Sequence, residues 1–433
     1  MGLPKVRDLR LLLLKIVVFC IIIELMKRTI ITILVFLIGM TVFAQSTDMS
    51  YYTWEYNRTD ATFASRLGVL EIVRAANLTE IGEFYHDSLK VLLARLPDAR
   101  TREEREAADA SARILCQGLL AEKYVDAASD LWLVVQNFDV VRDFNDGLVM
   151  QDALVALGQL GNKDYVSHIV LRLDNFNTHE TSDVESKRRI QRGVAGAISA
   201  LEAFHEPEGF SPIFFASIGW YDPAIRAMAS NALRNIIDDP GEIISVIIQD
   251  TGNNPNIKYD AWREMLLTGA PNTLKAKVAA VALATGWSFA TSNPNYQRAL
   301  REMRMSAIDT IRVLGVEDDS VYANLEKSYS NSFVNNAPDY DEIRKTIDAL
   351  SVTGTDEAVQ LLYKFLQELH ARRLSGVWGA KERQVMQWLL PSLGATRTQN
   401  PQVRQLITAI ERSNDYTGTE QSWARDALRR LGQ

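Results

Sequence analysis

Five histidines, His86, His168, His179, His205 and His370, are the side chains best suited to acid–base or metal chemistry near neutral pH. No two of them stand at the helical or zinc-ligand spacings that bring imidazoles onto one ion, and the chain has no Cys-x-x-Cys. His86 alone has acidic and phenolic neighbours, in Glu83-Phe84-Tyr85-His86-Asp87, and that run reads as a surface helix. The acids offer no pair set apart in an apolar run, the setting that raises a carboxyl pKa for proton transfer. Gly193 and Gly196 fall in a helical pattern, without the strand and lysine of a phosphate-cradling loop, and no serine nucleophile elbow is present. Asp238-Asp239 and Asp318-Asp319 match no calcium-loop spacing. The residue types therefore predict no catalytic residue, no metal ligand and no cofactor.

Two basic faces remain: Lys187-Arg188-Arg189 with Arg192, and Arg298, Arg301 and Arg304 at three-residue spacing. Both are interleaved with acids (Asp183 and Glu185; Glu302), as solvated helix faces are. Formal net charge is -7, and the first 44 residues carry six cations (Lys5, Arg7, Arg10, Lys15, Lys27, Arg28) against Asp8 and Glu24, so the body is more acidic still. Such a body repels nucleic acid, and a protein or peptide partner is expected instead. Of the two cysteines, Cys20 lies in the leader, and Cys116 sits in Ala112-Arg113-Ile114-Leu115-Cys116 as a small buried hydrophobe.

Two apolar runs open the chain, Leu11 to Leu25 and Ile30 to Ala44. The second has the layout of a secretory signal: basic Met26-Lys27-Arg28, an apolar stretch from Ile30 to Ile38, and Val42-Phe43-Ala44 before Gln45. The expectation is an over-extended start over residues 1–25, a signal peptide over 26–44 cleaved between Ala44 and Gln45, and a periplasmic or secreted product. An uncleaved leader would instead tether the protein to the membrane. Residues 45–65 follow as an aromatic cap containing Tyr51-Tyr52-Thr53-Trp54-Glu55-Tyr56.

The remaining residues, 66–433, must be positioned by helices. Met150, Ala153, Leu154 and Leu157 make one apolar face, and Tyr165, Val166, Ile169, Val170 and Leu173 make the next after a Gly-containing break. The first of these helices ends in a frame, Asp152-Ala153-Leu154-Val155-Ala156-Leu157-Gly158, that recurs as Asp309 to Gly315, Asp348 to Gly354, Trp388 to Gly394 and Asp426 to Gly432. A degenerate copy runs from Asn231 to Ile237. The frame ends at 158, 237, 315, 354, 394 and 432, so the separations are 79, 78, 39, 40 and 38, the long ones twice the short. A period near 39 allows about ten units, with weak copies placed near 197–202 and near 276, the latter on the Ala-rich run Val278 to Ala284. Alanine lets helices approach, Leu and Ile fill the seam, and glycine is read as the helix stop. No hairpin of this kind buries its apolar face alone, so the units must stack.

Paired helices at this period, with Asp222-Pro223-Ala224-Ile225-Arg226 leading to Ala229 and Ala232-Leu233, resemble HEAT repeats of the exported bacterial type. Asn400-Pro401-Gln402-Val403-Arg404 echoes that opening, and in both the Asp or Asn is placed to cap a helix that starts at proline. The resemblance implies an all-α, armadillo-like solenoid of antiparallel hairpins. It also implies binding or assembly, some relatives of this sort being accessory subunits of enzymes. The expected function is an exported, non-enzymatic scaffold for protein binding; a tethered envelope component and a non-catalytic subunit are the alternatives.

Overall fold

The computed structural model describes residues 49–142, 145–316, 319–334 and 337–432. The leader with its Ala44–Gln45 junction, Asp318 and Gln433 lie outside the described residues. Among the described residues the chain is all-helical, with twenty α-helices and no strand: α1 (Met49–Asn57), α2 (Phe63–Ala76), α3 (Gly82–Arg95), α4 (Arg102–Ala121), α5 (Ala128–Asn137), α6 (Leu148–Leu160), α7 (Val166–Thr178), α8 (Val184–Phe204), α9 (Phe210–Ile218), α10 (Pro223–Ile236), α11 (Gly241–Gln249), α12 (Pro255–Leu267), α13 (Asn272–Ser288), α14 (Pro294–Leu314), α15 (Ser320–Val334), α16 (Tyr340–Thr353), α17 (Asp356–Leu374), α18 (Ala380–Thr396), α19 (Pro401–Arg412) and α20 (Gly418–Leu431). None is long and apolar enough to cross a membrane.

Local sequence fixes most starts. Thr62, Asp183, Asn254, Asn293, Thr355 and Asn400 each cap a helix through a side-chain oxygen, and Thr101 with Glu104 and Thr417 with Glu420 form reciprocal capping boxes. Four helices open on proline, whose missing N–H costs nothing at that position. Asp222 departs from expectation. It makes no side-chain cap, because its carboxylate is drawn 2.6 Å from the Lys187 ammonium of α8.

The chain divides into two compact units, residues up to 124 and residues from 125 on. In the first, α1 packs on α2 and α3, α2 on α4, and α3 on α4. Fully buried Tyr56 meets Phe84 edge-on, and buried Arg66 donates to the Tyr56 carbonyl at 3.0 Å. Tyr52 is buried as well, whereas Tyr51 and Trp54 on the other side of α1 are exposed. In the second unit, helices pack in neighbouring pairs and also on the helix after next, an arrangement consistent with an α-solenoid.

The frame glycines turn out to have two jobs. Gly315 and Gly354 stand just past α14 and α16 at φ of 98° and 60°, where a side chain would be strained. Gly158 and Gly394 instead lie inside α6 and α18, which end at left-handed Gly161 and Arg397. A Cβ on Gly158 would sit 2.4 Å from Ala200 Cα of α8, and one on Gly394 would sit 3.0 Å from Ala427 Cα of α20. There the missing side chain brings backbones together rather than stopping a helix. The Ala-rich run Val278 to Ala284 belongs to α13, and the helix before it ends in Leu266-Leu267-Thr268-Gly269.

Candidate binding surface

The structure keeps the five histidines apart and gives most of them packing or capping partners. His86 is not on the surface. It is buried, its ring 5.3 Å from that of Tyr124, because α3 is covered by both α1 and α4. His205 ends α8 in the left-handed conformation, and its Nδ1 lies 3.0 Å from the Asn235 carbonyl of α10. His370 Nδ1 lies 2.8 Å from the Tyr416 hydroxyl with the rings stacked, and burial holds its pKa below the ordinary value. Cys116 is buried in α4. Among the described residues no cluster of three His, Cys, Asp or Glu side chains is arranged to hold a metal ion.

Both basic faces are engaged with neighbouring helices. Lys187 pairs with Asp222, and Arg192 donates to the Asp146 carbonyl at 2.6 Å. Arg301 grips Asp339, and this bond holds the aspartate below the usual carboxylate range. Arg304 donates to both oxygens of buried Glu342 at 2.8 and 2.9 Å while lying 3.8 Å over the Trp287 ring. Two clefts border these groups, of about 600 and 520 Å³. In the larger, Lys275 donates to the Thr268 carbonyl, which ends α12, and Asp309 pairs with Lys345. Arg301, Arg304, Asp339 and Glu342 line the smaller. The cleft charges thus face one another rather than converging on an empty point, as a substrate site requires.

Apolar side chains also reach water. The rings of Trp132 on α5, Tyr165 just before α7 and His168 on α7 meet within 5.9 Å of one another. Leu133 (43% exposed) and Leu171 (63% exposed) flank them. The members of this patch are separated in the chain, so no local run of residues marks it; the signal in the sequence is that Leu133 and Leu171, 38 residues apart, both stand on the polar side of their helices. Compared with known proteins, the chain matches no family model and no curated protein sequence.

Proposed function

We propose that this chain is an exported HEAT-type repeat protein that holds a protein or peptide partner in the periplasm or cell envelope, and is not itself an enzyme. The observation that carries the reading is the Trp132–Tyr165–His168 patch with Leu133 and Leu171, apolar surface kept in water on adjacent helices. Aromatic and aliphatic groups of this kind are the anchors on which protein interfaces concentrate their binding energy. The mutually paired charges of the two clefts support the non-enzymatic part.

The repeat assignment has its own support. From the cap Thr62 of α2 to the cap Thr417 of α20 there are nine steps of one helix pair, about 39 residues each. Glu342, Glu382 and Glu420 are each the third residue of α16, α18 and α20, all buried, 40 and 38 residues apart. In this reading the copy sought near 276 is Arg263 to Gly269, and Val278 to Ala284 lies in the second helix of its hairpin.

The test is capture from an envelope extract with the chain beginning at Gln45, beside the same chain carrying Trp132→Ala and Leu171→Asp. A specific partner retained by the first and reduced at least tenfold with the second is expected, a loss of about 1.4 kcal/mol or more. Equal retention by both would remove the patch, and the reading with it.

A further inference from the structure

Taken two at a time as α5–α6, α7–α8, α9–α10 and so on, every neighbouring set of two helices in the second unit but one is stitched to the next by polar contacts. Between α7–α8 and α9–α10 these are Tyr221 Oη to Asn177 (3.0 Å), Asn235 to Glu202 (2.9 Å) and Lys187 to Asp222 (2.6 Å). Between α12 and α14, Trp262 Nε1 donates to Ser306 (3.0 Å), and between α14 and α16, Arg304 grips Glu342. Between residues 236 and 241 the pattern stops. Among the described residues no side-chain hydrogen bond, ion pair or ring contact joins α5–α10 to α11–α20. α10 packs on α8 and α9 but has no packed face on α11 or α12, and α9 meets them only along a narrow contact.

The apolar sides of the helices explain this. Ile236 of α10 is turned toward Gly209 and is buried there, while fully buried Trp262 of α12 is turned forward to α14. The link between them is extended at Ile237 (φ -148°, ψ 150°) and continues through Asp238-Asp239-Pro240. One buried group at this junction is unsatisfied: Glu264 on α12 is 8% exposed, and its Oε1 has no hydrogen-bond partner. Two cations act on it through charge without an ion pair, Arg263 on α12 itself and Arg234, exposed on α10 across the gap. A buried carboxylate left in that condition is costly, and a small rotation seating the guanidinium on it relieves the cost.

We infer that the link at residues 237–240 is a hinge dividing the second unit into two rigid arms, and that Arg234 and Glu264 form a latch that closes it. The arms move as bodies because each is internally stitched, and the narrow α9 contact is the pivot. The structure described here is the unlatched arrangement.

The full chain in a background carrying both C20S and C116S tests this by spin-label distances. The pair S167C with Q249C spans the junction, and K327C with Q405C spans a similar length of chain within one arm; all four positions are exposed. The junction pair should give a distribution about twice as wide as the control, in two populations, one of which disappears with Arg234→Ala. Because Arg234 is exposed, the control distribution should not change in that variant, which verifies the fold. A junction distribution no wider than the control overturns the hinge. A wide one indifferent to Arg234→Ala overturns the latch.

Discussion

The seam between α6 and α8 and the seam between α14 and α16 join neighbouring helices by opposite means. In the first, Gly158 and Gly196 remove side chains from both helices, and Ala200 and Gln151 supply the facing backbone, so contact is close and apolar. In the second, Arg304 enters from α14, lies flat on Trp287 and donates its fork to Glu342 at the start of α16. One seam is held by shape and the other by charge inside a largely dry interface. Shape tolerates no added atom, whereas paired charge tolerates no missing partner.

The largest effect should come from breaking the charged seam on one side. Glu342→Ala leaves the Arg304 guanidinium nearly buried without its counter-charge, and the expected loss is about 3–5 kcal/mol. Replacing both residues with apolar side chains, Arg304→Met with Glu342→Leu, should cost under about 2 kcal/mol, because neither charge is then stranded. Amide hydrogen exchange in α14 and α16 reads both, helix by helix. Equal losses in the two variants would show that packing rather than charge holds this seam.

Next comes Gly158→Val. Its Cβ would meet Ala200 Cα at 2.4 Å, so α6 and α8 must part, and a loss of about 2–3 kcal/mol is expected in the exchange of those helices. Gly161→Ala, three residues on, meets nothing within 4 Å and pays only for its φ of 76°, about 1 kcal/mol. If the two substitutions cost the same, both glycines act as helix stops.

This pair of glycines also shows what was legible in the sequence. Helix content follows from local patterning, which a single chain displays in full. Whether Gly158 ends a helix or admits a neighbour depends on Ala200, 42 residues away, and no local pattern carries that. Separation in the chain likewise hides the Trp132–Tyr165–His168 patch, whose rings meet only once α5 and α7 are side by side. His86 was misplaced for a related reason: its own helix looks polar around it, and the helices that cover it are elsewhere in the chain.

Acid should separate the two seams with a smaller effect. Burial pushes the Glu420 carboxyl up, but hydrogen bonds from Thr417, Trp378 and Arg383 outweigh that and hold it below its ordinary value; the bond from Arg301 does the same for Asp339. A carboxyl depressed in the folded state stabilises it fully above the unfolded pKa, about 4 for both residue types, and the contribution is lost as pH falls through the folded value. Exchange protection in α16 and α20 should therefore fall between about pH 4 and the lower folded values, while the Gly–Ala seam of α6 and α8 is unaffected. Glu420→Gln should flatten the response of α20. Loss of protection in all four helices over the same interval would mean that the seams do not respond independently.

The smallest effect is expected where charge joins helices in water. Lys187 and Asp222 connect α8 to α10 at 2.6 Å, yet their side chains are 31% and 53% exposed. Solvent screens the pair, and holding a long lysine in one rotamer offsets much of what attraction remains. Lys187→Ala should leave the exchange of α8 and α10 unchanged within error, although this contact is as short as that of Arg304 with Glu342. A measurable loss on Lys187→Ala would mean that burial does not decide which inter-helix charges matter. The contrast between the two seams would then rest on distance alone.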